Sequence, residues 1–174
     1  MVASGALADV VTGGNDSFPA GAIRSTAGAV SVMAGRNILL GFSGSGWGNV
    51  EAQTAINLNA GQNLVVDHFS RIDVRSAGPL TITAGGDVSF VNYAGVTTEG
   101  GPISITTGST GTFTVGASGG SFGSHFLGGA GGDIDITAQT MAINSSIDAS
   151  TGNITLNNSG SVTGSGSLIA NTLN

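Results

Sequence analysis

Thirteen residues, GPLTITAGGDVSF, run from Gly78 to Phe90 as two short apolar runs joined by a small corner. Versions of this stretch recur along the chain. GAVSVMAGRNILL begins at Gly28, TAINLNAGQNLVV at Thr54, GPISITTGSTGTFTV at Gly101, GDIDITAQTMAIN at Gly132 and GNITLNNSGSVTG at Gly152. Successive starts are 26, 24, 23, 31 and 20 residues apart. Self-similarity at such a period marks a repeat architecture, in which one unit alone cannot bury its apolar face. A further run precedes each copy: AIRS at Ile23, NVEA at Val50, RIDVRS at Ile72, GVTTE at Val96, the region of Phe126 and Leu127, and SIDAS at Ile147. GSLIA at Leu168 opens another unit, of which the chain holds only the first part.

Each unit therefore contains three short strands and three corners. Apolar residues alternate along the strands, so Val30 and Val32 point one way while Ser31 and Met33 point the other. Stacking covers the inner side chains of each unit with those of the next. The spacing predicts an all-β chain, a parallel β-helix (solenoid) of about six to seven rungs, right-handed by the usual preference of parallel crossovers. The repeat domain spans 22–174; residues 1–21 fit the period poorly and read as an incomplete rung, a cap or an expression remnant. The expected interior is Val30, Val32, Ile38, Leu58, Leu64, Leu80, Ile82, Val88, Ile103, Ile105, Phe113, Ile134, Ile136, Ile154 and Leu156. Gly35, Gly61, Gly85 and Gly108 recur at one corner, with Asn37, Asn63 and Asp87 just beyond, as residues that tolerate a left-handed backbone. Two irregular stretches, 41–49 and 116–132, read as loops leaving the rod.

Composition narrows the function. Charged residues are 8% of the chain, there is no lysine, and the cations are Arg24, Arg36, Arg71 and Arg75. Four arginines in a chain of net charge -6 cannot neutralise many phosphates, which argues against nucleic acid as a partner. No apolar run approaches the ~18 residues of a membrane-spanning helix, so membrane insertion is not expected. Cysteine is absent, which removes disulfides and thiolate sites.

The tandem units, AINLNAGQNLVV and PLTITAGGDVSF above all, resemble the β-helical shaft repeats of filamentous haemagglutinin-like exoproteins, large Gram-negative adhesins exported by two-partner secretion. The resemblance covers about residues 22–174. It implies an extracellular or bacterial cell-surface location and a shaft that is mostly scaffold. The family's amino-terminal secretion domain carries Asn-Pro motifs, and no Asn-Pro occurs here. The chain thus reads as a shaft segment, with other segments of the same long chain, a glycan or a host cell surface as partners. End-to-end stacking of open rungs is a further expected association.

Each candidate site has a plainer reading beside the chemical one. GGAGGDIDI (128–136) approaches a calcium-binding nonapeptide but has Asp135 where an apolar residue belongs and occurs once, so Asp133 reads as a corner residue. VDHFSRIDVR (66–75) gathers Asp67, His68, Arg71, Asp73 and Arg75. A β-helical polysaccharide-active enzyme would use such a cluster, but alternation splits it between faces and a corner. Arg24, Glu51 and Asp73 then form an exposed charge ladder. His68 and His125 lack partners at metal-ligand spacing. No metal site, cofactor or catalytic residue is expected. The outer face of the second strand, with Thr81, Thr83, Thr106 and Thr137 among others, would suit an ice-binding rod if Met33, Asp135 and several Asn did not interrupt it. The loop-borne aromatics Phe42, Trp47, Tyr93, Phe122 and Phe126 are the expected ligand contacts, because a rigid scaffold with loops collects binding residues there.

Overall fold

The computed structural model describes residues 2–3, 9–12, 23–41, 48–116, 125–127 and 132–174. All regular structure among them is β, in three parallel sheets whose strands succeed one another in rotation. The first side stacks Ile23–Ser25, Val50–Ala52, Arg71–Val74, Gly95–Thr98, His125–Leu127, Ile147–Asp148 and Leu168–Ile169. The second runs from Val2–Ala3 through Val30–Ala34, Ile56–Ala60, Leu80–Ala84, Ile103–Thr106, Ile134–Ala138 and Asn153–Asn158 to Thr172–Leu173. The third holds Val10–Thr12, Ile38–Leu40, Leu64–Val66, Val88–Phe90, Thr112–Val115, Thr140–Ile143 and Val162–Thr163. The chain is a parallel β-solenoid with six successive triplets of strands, flanked by partial turns. The first strand of the fifth unit does include Phe126 and Leu127, in register with Val96 and Thr97. Within 1–21, Val2 pairs with Met33 and Val10 with Ile38. No helix among the described residues is long and apolar enough to cross a membrane.

The two-residue period of the strands explains this shape. On the second side Val32, Leu58, Ile82, Ile105 and Ile136 follow one another in register, and all are buried. Their neighbours Met33, Asn59, Thr83, Thr106 and Thr137 point to solvent. The predicted interior is buried except at Leu156, which is only partly covered. The turn beyond it contributes just Thr172–Leu173, paired with Asn153 and Ile154. Phe90 and Phe113 fill the core beneath the third side, their ring centroids 6.3 Å apart and tilted by 58°.

The corner glycines have a different cause from the expected one. Gly61, Gly85 and Gly108 are not left-handed; among the described residues the left-handed glycines are Gly41, Gly100, Gly116 and Gly164. What excludes a side chain is the rung above or below. A Cβ on Gly61 would lie 2.2 Å from the Gly35 carbonyl oxygen, one on Gly85 2.2 Å from that of Gly61, and one on Gly108 2.0 Å from that of Gly85. The corner is a rank of backbones in direct contact. Asn37, Asn63 and Asp87, just past it, are rungs of a side-chain ladder. The Asp9 carboxylate accepts the Asn37 N–H at 2.9 Å, Asn37 Oδ1 accepts Asn63 N–H at 3.1 Å, Asn63 Oδ1 accepts Asp87 N–H at 2.9 Å, and Asp87 Oδ1 accepts Thr112 N–H at 2.8 Å. These side chains satisfy corner amides that the sheets do not reach.

At the start of this ladder the Arg36 guanidinium grips Asp9 with two hydrogen bonds, one of them 2.8 Å from Nε to Oδ1. That grip, helped by the Asn37 amide, holds the Asp9 carboxyl far below its ordinary value of 3.8 against the opposing effect of desolvation. A lowered carboxylate pKa stabilises the fold above the unfolded value, and the contribution is lost as pH falls through the folded one. Asp9 is therefore expected to remain ionised at about pH 3, read from its carboxyl carbon shift by NMR. A titration midpoint near 3.8 would show that the pair does not form in solution.

Candidate functional site

The first side of the solenoid carries the chemistry. Its outward positions place Arg24 beside Glu51 and Glu51 beside Asp73 on consecutive rungs. Arg71, Asp73 and Arg75 all point outward, because Ile72 and Val74 between them enter the core. The Glu51 carboxylate is clamped from both sides, 3.2 Å from Arg24 Nε and 2.9 Å from Arg75 Nη2. Arg75 Nε lies 3.6 Å from Asp73. The expected exposed charge ladder is thus corrected. Glu51 is buried, at 8% exposure, and Asp73 is half-covered, because the long arginine side chains lie across them. Burial pushes the Asp73 carboxyl above its ordinary range. Arg75 and, more weakly, Arg71 oppose that push, while Glu51 and Glu99 add to it.

Beside these charges stand two aromatic residues on neighbouring corners. Asp67-His68-Phe69-Ser70 and Val91-Asn92-Tyr93-Ala94 are each closed by a hydrogen bond from the fourth residue's N–H to the first residue's carbonyl, at 3.1 and 3.0 Å. The central residues are all left-handed, with φ of 45° and 56° in the first turn and 49° and 68° in the second. This is the type I′ form, which favours Asn and Gly. Asn92 suits it and His68 is tolerated; Phe69 and Tyr93 are disfavoured there. Bulky residues held there cost about 1–3 kcal/mol each, and such strain gathers at functional sites. The two turns stack, with the Phe69 N–H donating to the Asn92 carbonyl at 3.0 Å. The rings follow, lying nearly parallel with centroids 4.3 Å apart. Asp67 Oδ1 ties the corner together by accepting the His68 N–H at 2.7 Å and the Asn92 side-chain amide at 2.7 Å.

Charges and rings meet in one groove of about 350 Å³, lined by Asn49, Glu51, Phe69, Arg71, Asp73, Arg75 and Tyr93. Asn49 is buried, and its Oδ1 accepts the Arg71 N–H at 2.9 Å, fixing the strand that carries Arg71. Of the five aromatics expected to meet a ligand, Tyr93 stands in this groove. Phe42, Trp47 and Phe122 lie outside the described residues. Phe126 lies in a first-side strand, in register with Val96 and Ile147. Of the 66–75 cluster, Arg71, Asp73 and Arg75 come together; Asp67 and His68 stay at the corner, His68 Nδ1 3.2 Å from Asp67. Sequence reasoning does not bring Phe69 and Glu51 into one site. A signal for Phe69 exists, since DHFS and VNYA occupy the same corner one period apart.

Elsewhere the motifs have structural roles. Asp133 Oδ1 accepts the Asn153 N–H at 2.8 Å, another corner bond between rungs. Among the described residues no group of three or more potential ligands could hold a metal ion. On the second side Thr83, Thr106 and Thr137 stand in register, flanked by Asn59 and Asn157. Comparison with protein-family models, with curated proteins and with solved structures finds no match.

Proposed function

We propose that this chain is a shaft segment of a secreted cell-surface adhesin, a rigid scaffold that contacts glycan through its flank. The groove formed by Phe69, Tyr93 and the arginine–carboxylate strip carries the reading. It is a built, side-facing site on a stack whose three strand ladders run without interruption through six rungs. The stack is stiff because a bend must separate the three ladders along one side and uncover core. The exposed apolar side chains of Val162, Ile169 and Leu173 offer cover for another segment of a long chain. The likeness of the repeat units to haemagglutinin-type shafts supports the cell-surface role.

The labelled chain, applied to a broad glycan array, is expected to show saturable binding that Tyr93→Ala reduces at least tenfold. Tyr93→Ala removes a ring from the groove and leaves the core untouched. Binding unaffected by that change would move the contact away from this flank, and a blank array would remove glycan contact from the reading.

A further inference from the structure

We propose that the flank groove recognises an acidic sugar, a pyranose carrying a carboxylate, with the acid on Arg71 and an apolar face of the ring against Phe69 and Tyr93. This rests on the glycan-contact reading and specifies its ligand. The argument starts from the four arginines. Arg36 is committed to Asp9, and Arg24 and Arg75 are committed to Glu51. Arg71 lines the groove, is exposed and forms no ion pair among the described residues. A guanidinium so placed can meet a carboxylate with two parallel hydrogen bonds. Neither Glu51 nor Asp73 pairs with it, although Asp73 feels its charge through space, more weakly than that of Arg75. Glu51 is already held by two arginines, and Asp73 leans on Arg75. Asp73, which is partly exposed, remains an acceptor for a sugar's hydroxyl groups.

The aromatic pair supplies the other half of the recognition. The C–H bonds on one face of a pyranose are apolar and pack on an aromatic surface. Phe69 is 45% exposed, at a backbone angle that disfavours it. A groove of about 350 Å³ sits at the small end of ligand sites and suits a short saccharide better than a large flat ligand.

The test is calorimetric titration of the whole chain with a glucuronate-terminated oligosaccharide and with its glucose-terminated counterpart. The acidic sugar is expected to bind at least tenfold more tightly. Arg71→Gln should bring it down to the level of the neutral one. Phe69→Gly should weaken both sugars while leaving the melting temperature close to that of the parent chain, because the left-handed strain that glycine relieves offsets the stacking on Tyr93 that is lost; that separates recognition from folding. Equal binding of the two sugars, or full binding by Arg71→Gln, would overturn the proposal. If the array shows Tyr93-dependent binding of neutral glycans only, the acidic-sugar inference fails while glycan contact stands.

Discussion

Ile82→Asp is expected to cost the fold a large part of its stability. Ile82 is fully buried, in register between Leu58 and Ile105, which are buried as well. The substitution removes most of an aliphatic side chain, a change worth about 2–5 kcal/mol, and adds a carboxylate with no partner in the core. The combined loss of about 4 kcal/mol or more is a large part of a typical domain's 5–15 kcal/mol. Thr83→Asp, one residue on, is the control. Thr83 faces solvent between Asn59 and Thr106, so its change should stay within about 0.5 kcal/mol. Urea unfolding followed by circular dichroism reads both. Similar losses from the two variants would mean that the strand does not present alternate faces to core and water.

Gly101→Ala is the second large effect, and it comes from a single methyl group. Gly101 is buried, and its added Cβ would lie 1.9 Å from the Gly78 carbonyl oxygen, 2.7 Å from its carbon and 2.8 Å from the Ala77 carbonyl carbon. All three are backbone atoms, so no rotamer change relieves the overlap. The two rungs must move apart and weaken the hydrogen bonds between them, at a cost of about 3 kcal/mol. Gly28 opens an earlier copy of the same repeat, yet among the described residues a Cβ there meets only Ser25 Oγ, at an ordinary 3.5 Å. Gly28→Ala should therefore be neutral or stabilise by up to about 1 kcal/mol through the unfolded chain. A Gly101→Ala variant as stable as Gly28→Ala would contradict the close stacking of the corner backbones.

These two substitutions also mark what is legible in the sequence and what is not. The core is legible because a period of two within strands and of about two dozen residues between rungs fixes which side chains stack. Ile82 needs nothing else. Gly85 is recognisable as a corner residue, but the reason for it is not, since one sequence gives no sign of whether a glycine is there for its backbone angle or for the absence of Cβ. That distinction depends on how near the next rung comes. Leu156 has the pattern of a core residue, whereas its burial depends on what the following turn covers. In the groove, Tyr93 stands out from its corner position, but its partner Phe69 and the clamp on Glu51 do not. Both depend on alignment across rungs: Phe69 stacks because two corners coincide, and Glu51 is buried because arginines on both neighbouring rungs fold over it.

The most direct measurement of the central claim is immunolabelling of the cells that make this protein, with antibody raised against the folded chain. A surface scaffold must be reachable on intact cells, and brief external protease should remove the label. The account predicts strong labelling without permeabilisation, lost after protease. Labelling that requires permeabilised cells and survives external protease would place the chain inside and contradict the adhesin reading.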